Sequence, residues 1–235
     1  MAFWAACGLN GFFDRLARDI ERWGLVRTLC GRIAGLNRTW LVICGIYSRP
    51  IDRSFESLPV DSSGITFRLA TRKDLLSAAA HMSDHLSFEF VESALDRGDV
   101  CAAAFDGARM VSYVWRAFTA TPHTEGLWVR FQKPYRYGYK AYTDPAYRGR
   151  HLQNPIRLLA DDTSVALGCT ASISFIEINN YQSIAAELRR GNSRVGFAGY
   201  VRLFGKVFPF RSRGARQHTF EFFQPSRTTE TTSRA

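Results

Sequence analysis

The sequence predicts an α+β fold (mixed α/β) with one central mixed sheet flanked by helices. Between residues 100 and 143, four β-rich segments separated by turn residues are typical of an antiparallel meander. The segments 156–167, 170–178 and 182–190 then follow the order helix, strand, helix, which is typical of a crossover connection. Both patterns fit strands of one common sheet. We expect a ligand to bind at the crossover loop.

The first regular pattern along the chain is helical. Between residues 9 and 34, apolar residues recur at three- and four-residue steps, which predicts an amphipathic helix or two helices broken near Gly24. The apolar segment Trp40–Tyr47 predicts a short strand, and turn-forming residues follow it up to Gly64. We therefore expect residues 1–62 to form a helical N-terminal extension that includes a short strand.

Residues 63–224 are expected to form the main domain. The alternating segment that starts at Ile65 predicts its first strand, and a polar helical stretch then ends at Gly98. Closing strands are expected at 199–207 and 218–223. The chain becomes rich in Arg, Thr and Ser beyond residue 211, so residues 225–235 are predicted to be a flexible tail.

The composition restricts the class of protein. The 235 residues are 46% hydrophobic and 22% charged, which disfavours a disordered, collagen-like or coiled-coil chain. Lys and Arg total 31 against 21 Asp and Glu, a net charge of +10. Arginine dominates this excess, and its planar fork suits phosphate and carboxylate groups. Nucleic acid, an anionic membrane, a phosphorylated cofactor and an acidic carrier protein all remain open as partners.

The cysteines and the apolar runs predict the compartment. The five cysteines are scattered and form no CxxC pair, so neither a disulfide framework nor a metal site is expected. A reducing, cytoplasmic location fits this usage best. The apolar N-terminus lacks a basic leader, and the longest apolar run is far shorter than the ~20 residues that span a bilayer. We therefore expect neither a secretory signal nor a transmembrane helix.

One loop carries the features of an anion site. The segment 139–159 reads as a strand, a polar loop with Gly149 and a helix with Pro155 in its first turn. Such a junction directs unpaired amides and a partial positive charge at an anion, and Arg148, Arg150 and Arg157 add charge to it. A phosphate or pyrophosphate would suit this loop. An ordinary turn with solvated arginines is the alternative.

Two stretches resemble the GNAT superfamily of acyl-CoA-dependent N-acyltransferases. TDPAYRGRHLQ, residues 143–153, is similar to the turn and R-G-x-G-x-G-like loop that binds the coenzyme A pyrophosphate in that family. INNYQSIAAELRRGNSRVGFAGYVRLFG, residues 178–205, is similar to the family's later Asn-led helix and the Gly-Phe that follows it. With the order of elements, the resemblance covers about residues 65–206. The matching residues are Pro145, Arg148, Gly149, Asn180, Ser183, Gly196 and Phe197.

The resemblance implies a GNAT-like fold and transfer of an acyl group from acetyl-CoA, or another acyl-CoA, to a primary amine. It implies that the thioester lies along the backbone of residues 141–143, in a gap between the fourth and fifth strands of the family's sheet. His151 and Gln153 stand where the family usually has glycines, and Glu187 stands where many members have a proton-donating tyrosine. The residues expected to bind the acyl-CoA are Ala141, Tyr142, Thr143, Arg148, Gly149, Arg150, His151, Leu152, Gln153, Asn180 and Ser183.

The chemistry needs a base for the amine and an acid for the leaving thiol. The candidate bases are Glu125, Glu177 and His123, and the candidate acids are Tyr139 and Tyr142. Of these, Glu125, Glu177 and Tyr142 are taken as the catalytic set. Glu177 could instead be a structural hydrogen-bond partner, and His123 could be only a turn residue.

Several partners stay open. The acceptor is expected to be a small-molecule or lipid-linked amine, and an acyl carrier protein could replace coenzyme A as the donor. A catalytically inactive GNAT-fold binding or regulatory protein is the alternative to an enzyme. Nucleic acid is not expected, because the tyrosines of 135–142 suit a half-buried strand. The stripe in residues 9–34 could contact a membrane surface, or pack on the domain or on a second subunit of a homodimer.

Overall fold

The structure, a computed structural model, describes residues 40–51, 61–82, 84–124 and 126–225. The helices predicted within 9–34, Glu125 and most of the predicted tail lie outside these residues. The described strands are β1 (Leu41–Pro50), β2 (Ile65–Leu69), β3 (Val100–Asp106), β4 (Arg109–Ala117), β5 (Thr121–Thr124), β6 (Leu127–Arg130), β7 (Tyr135–Thr143), β8 (Ala171–Glu177), β9 (Ser193–Leu203), β10 (Lys206–Arg211) and β11 (Glu221–Phe223). The described α-helices are α1 (Arg72–His81), α2 (Phe88–Asp96), α3 (Gln153–Ala166), α4 (Tyr181–Arg189) and α5 (Arg213–Gln217).

A large mixed sheet organises the fold, as the sequence predicts. Its eight strands lie in the order β10-β9-β1-β8-β7-β4-β3-β2. The pair β7 and β8 is parallel, and α3 makes the crossover between them, while the other neighbouring strands are antiparallel. The expected meander is interrupted, because β5 and β6 leave the large sheet and pair with β11 in a three-stranded sheet.

Strand β1 lies inside the large sheet. It pairs along one edge with β8 and along the other with β9. Most of its residues are buried, Cys44 and Ile46 completely. The sequence analysis predicts this strand but assigns it to the N-terminal extension, and the pairing corrects that assignment. A continuous apolar run suits a strand that is covered on both faces.

The helices cover both faces of the sheet. Helices α1 and α2 pack Leu75 and Val91 into the cluster that contains Trp115 of β4. Helix α3 packs Ile156 on the opposite face, against Val114 of the same strand. The alternation along β4 therefore sends neighbouring side chains into two separate cores. Among the described helices, none is long and apolar enough to cross a membrane.

Candidate functional site

A cleft opens where the two parallel strands separate. Strand β7 pairs with β8 over Tyr135–Tyr137, in register with Ala171–Ile173. From Gly138 to Thr143, β7 pairs on one side only within the described part of the chain, and its partner there is β4. The other edge of this half of β7 faces a cavity of about 830 Å³. The gap that the resemblance implies between two adjacent strands is therefore present.

Helices α3 and α4 complete the walls of this cavity, which is called the cleft below. Six residues predicted from the sequence as part of the site line it together with the predicted base Glu177. The six are Ala141, Tyr142, Thr143, Gln153, Asn180 and Ser183. Residues far apart in sequence thus meet at one place, although their roles stay a prediction.

Tyr142 stands between two cavities. It lines the cleft, and it also lines a second cavity of about 550 Å³ beside the end of α1. Its ring lies 4.4 Å from the ring of His85 and 5.7 Å from that of Tyr113. The register between β4 and β7 shifts between Val114 and Arg116, so β7 carries a bulge just before this segment. Tyr142 follows this bulge and borders both the cleft and the second cavity.

The loop between β7 and α3 has the backbone of a glycine-rich turn. Gly149 has a φ of 83° and His151 a φ of 58°, both in the left-handed region. His151 therefore adopts a backbone conformation that favours glycine, at a strain that glycine would avoid. Arg148 is exposed, whereas Arg150 is engaged with the carboxylate of Asp61 at 3.0 Å.

The first turn of α3 has no side-chain cap. Helices α1, α2, α4 and α5 each have a side-chain cap, from Thr71, Ser87, Asn180 and Ser212. At α3 the capping position is held by Leu152, which makes no side-chain hydrogen bond to the helix. The Leu152 side chain is buried in the core under α3, so only its backbone can face a ligand. The start of α3 therefore carries the partial positive charge of a helix N-terminus without a side-chain cap, although the Asn154 amide donates to the His151 carbonyl at 3.0 Å and Pro155 has no amide proton.

Gln153 fixes the end of β7. Its side-chain amide donates to the carbonyl of Tyr142 and to the hydroxyl of Ser112, each at 2.9 Å. It also lies 3.1 Å from the Thr143 hydroxyl. A glycine at this position could not make these bonds. The departure from the family pattern therefore positions the strand edge that borders the cleft.

Asn180 and Ser183 begin α4 at the cleft. The Asn180 side-chain oxygen accepts from the Ser183 amide at 3.2 Å, and this caps the helix. This hydrogen bond is thus structural, and both residues also line the cleft. Contact with an acyl-CoA stays a prediction for both.

The remaining acid and base candidates have different surroundings. The Tyr139 hydroxyl donates to Asp99 at 2.8 Å, and burial together with that carboxylate raises the pKa of Tyr139 above its usual range. His123 packs against Phe175 and Phe222, and burial, aided by the charge of Arg202, lowers its pKa to about 4. Both groups are poor proton carriers near neutral pH, while Glu125 lies outside the described residues.

The inner end of the cleft holds arginines that the sequence analysis misses. Arg116 of β4 and Arg136 of β7 are both 3% exposed. A Cβ added to Gly138 would lie 3.4 Å from a terminal nitrogen of each, so the two guanidinium groups flank this glycine. The available signal is a single charged residue, Arg116, within the otherwise uncharged segment 110–117. The burial of Arg116 could not be deduced from the sequence, because an arginine in an apolar strand can equally mark the end of the strand, where it would be solvent-exposed.

Two carboxylates anchor part of this group. Asp161 of α3 accepts from both Arg49 and Arg136. Glu187 of α4 pairs with Arg190 at 3.2 Å and with Arg157 at 3.6 Å, and it accepts from Asn192 at 2.8 Å. Glu187, at the position of the family's tyrosine, is therefore an ion-pair partner here.

The described residues fit an acyl-CoA. The start of α3, which has no side-chain cap, offers its partial positive charge to phosphate groups, and the free edge of β7 offers backbone groups to an amide-bearing arm. The cleft is continuous from Gln153 and Thr143 to Gly138, so an elongated molecule can lie along the strand. Among the described residues, no group of three or more His, Cys, Asp or Glu could hold a metal ion.

Comparisons with known proteins find similarity in solved structures only. Neither a protein-family model nor a curated protein matches the sequence. A Drosophila protein of known structure is 15% identical with a TM-score of 0.47, over 75% of this chain and 57% of its own. A tandem GNAT protein from the clavulanic acid pathway is 12% identical with a TM-score of 0.45, over 79% of this chain and 55% of its own.

A third match, which carries an activity in its name, is a GCN5-related N-acetyltransferase from Kribbella flavida. It is 11% identical with a TM-score of 0.43, over 89% of this chain and 66% of its own. This chain thus spans little more than half the length of the first two matches. The neighbours include N-acetyltransferases with the GNAT fold, at low identity. With TM-scores below 0.5, they carry no argument about activity.

Proposed function

We propose that this protein is an N-acyltransferase that moves an acyl group from an acyl-CoA thioester to a primary amine. The observation that carries the proposal is the separation of β7 from β8 after Tyr137, beside the uncapped start of α3. A strand edge without a partner can bind an amide-bearing arm by backbone hydrogen bonds. The helix start can bind the phosphates at the other end of the same molecule.

The reaction requires a second entrance for the amine. The second cavity borders Tyr142 from the side of α1, so an amine can approach the cleft there without crossing the acyl-CoA. The amine nitrogen forms a bond to the thioester carbon and loses a proton to a base, and the carbon–sulfur bond breaks. We assign Glu177, which lines the cleft, as the base. We assign Tyr142 as the acid that protonates the departing thiolate.

The second cavity indicates only the chemical class of the acceptor amine. Three aspartates, Asp74, Asp84 and Asp144, line the second cavity along with His81 and His85. Two of these aspartates already have cationic partners, since Arg68 binds Asp74 and Arg109 binds Asp144 at 2.6 Å. Asp84 is exposed at the mouth. A small-molecule amine suits this entrance, and a lipid-linked amine or an acyl-carrier donor remains the alternative.

The proposal is tested by a substitution on β7 that places a larger side chain in the cleft. Ala141 lies on the free edge of β7 and is exposed, so Ala141→Phe adds a ring within the cleft. We expect calorimetric titration with acetyl-CoA to show saturable binding that weakens at least about tenfold in this variant, since 1.4 kcal/mol of lost contact has that effect. Release of free thiol in the presence of a panel of primary amines would report turnover.

Ala166→Phe is the matched control. Ala166 is exposed at the end of α3 and outside the lining of either cavity, so the control should bind acetyl-CoA as the wild type does. Equal binding by Ala141→Phe and the wild type would exclude the cleft as the donor site. Binding without turnover on any amine would favour the inactive binding or regulatory protein.

A further inference from the structure

The inner end of the cleft carries more positive than negative charge. Five arginines line the cavity, namely Arg49, Arg116, Arg136, Arg157 and Arg190. Two carboxylates, Asp161 and Glu187, are bound to four of them. Lys140 and Glu177 also line the cavity and carry opposite charges. Three guanidinium charges therefore have no matching carboxylate in this group.

This excess of positive charge is most costly at Arg116, because Arg116 is buried. Among the described residues it forms no ion pair, and its one recorded hydrogen bond goes to the neighbouring backbone carbonyl of Trp115 at 3.0 Å. Its Nε is buried without a partner in the described chain, as are those of Arg136 and Arg157. A buried charge without a partner is costly, and guanidinium nitrogens match the two oxygens of a carboxylate.

Burial supports the same conclusion. It lowers the pKa of Arg116 well below its usual range, and the neighbouring charges of Arg136 and Arg157 add to this effect. An anion bound between these groups would offset that repulsion. The arrangement suits a ligand that brings negative charge to the inner end of the cleft.

We propose that Arg116, Arg136 and Arg157 bind a terminal carboxylate of the acyl group, so that the preferred donor is a dicarboxylic acyl-CoA such as succinyl-CoA or glutaryl-CoA. This inference rests on the proposed acyl-CoA function. It specifies the donor class, which the free strand edge and the loop leave open.

The position of the arginines along β7 favours the acyl group over the phosphates. With phosphates at the start of α3, beside Thr143, and the amide-bearing arm along the free edge of β7, the acyl end points towards Gly138. The side chains of Arg116 and Arg136 flank Gly138. A carboxylate at the far end of a four- or five-carbon acyl chain would therefore meet guanidinium groups there. An acetyl group brings them no charged oxygen.

Calorimetric titration of the full chain with acetyl-CoA, butyryl-CoA and succinyl-CoA tests the proposal. We expect succinyl-CoA to bind about 10 to 100 times more tightly than butyryl-CoA, which has the same chain length without the carboxylate. Arg116→Met should reduce this ratio to near one. Arg116→Lys, which keeps the charge but not the fork, should give an intermediate ratio. Arg213→Ala, an exposed arginine of α5 that lines neither cavity, should keep the wild-type ratio.

The outcomes separate the two proposals. Equal and saturable binding of butyryl-CoA and succinyl-CoA would overturn the carboxylate site while leaving the acyl-CoA function in place. Binding of none of the three donors by the folded protein would overturn both. Thermal unfolding with free succinate and inorganic phosphate forms another arm: stabilisation by either anion equal to that by succinyl-CoA would assign the arginines to a free anion and overturn the acyl assignment. If Arg116→Met does not fold, the ratio in Arg116→Lys decides.

Discussion

The two ends of the cleft present positive charge in different ways. At the outer end, the positive charge comes from the start of α3, which has no side-chain cap, and from the exposed Arg148. At the inner end, Arg116 and Arg136 are buried, and Asp161 holds one of them in place. A charged group in water is screened and has little free-energy cost, whereas a charged group in the protein interior is strongly destabilising unless it has a partner of opposite charge. The inner end should therefore dominate the stability of the site, and the outer end should tolerate change.

The largest expected effect follows from removing the inner anchor. Asp161 is 5% exposed and accepts from Arg49 and Arg136. Burial raises the pKa of Asp161, but Arg136, Arg116 and Arg49 outweigh it and hold that pKa below its usual range. Asp161→Asn removes this carboxylate from the buried Arg136 and from the partly buried Arg49. We expect the free energy of unfolding, measured by urea denaturation, to fall by about 3–5 kcal/mol.

An exposed aspartate provides the control for this anchor. Asp84 is exposed, so Asp84→Asn should change the free energy of unfolding by less than about 0.5 kcal/mol. A loss below about 1 kcal/mol for Asp161→Asn would mean that the inner arginines do not depend on this carboxylate. The contrast between the two ends of the cleft would then fail.

The same contrast marks what could be predicted from the sequence. The outer end is local, because the loop, Pro155 in the first turn of α3 and the Asn180 cap all follow from neighbouring residues. The mixed sheet and the gap between two strands were also expected. The inner end is not local, since Asp161 meets Arg49 across 112 residues of chain. No spacing rule relates such residues.

Strand β1 shows the same limit. Its apolar run predicts a strand, but its place between β8 and β9 depends on residues more than 120 positions away. The turn residues that follow Pro50 suggested a boundary instead. Likewise, Glu187 was interpreted by comparison with a family tyrosine, whereas its contact with Arg157 joins α4 to α3. Tertiary contacts decide both cases.

A smaller effect is expected at the outer end from Gln153. Its side-chain amide reaches Ser112, Tyr142 and Thr143. Gln153→Ala removes these bonds and should lower the free energy of unfolding by about 1–2 kcal/mol, because hydrogen bonds in partly buried sites contribute about 1 kcal/mol each and are not fully additive. Urea denaturation would measure it. Gln182→Ala, an exposed glutamine of α4, should change stability little, and an equal loss in both variants would contradict the role of Gln153.

The smallest expected effect is a gain in stability at the same loop. His151 has a φ of 58°, where a side chain costs about 1–2 kcal/mol, and glycine avoids this strain while losing more backbone entropy on folding. His151→Gly should therefore raise the free energy of unfolding by about 0.5–1 kcal/mol, measured as a higher midpoint in urea. Gly149, at a φ of 83° with open space around it, provides the reciprocal control.

Gly149→Ala should lower the midpoint, because the added Cβ meets no neighbour and only the backbone conformation is penalised. Opposite signs in the two variants would show that backbone strain is the controlling quantity in this loop, as expected of a solvated outer end. A destabilised His151→Gly would instead mean that the imidazole itself stabilises the loop. The loop would then depend on a side-chain contact, as the inner end of the cleft does, and the distinction between the two ends would be lost.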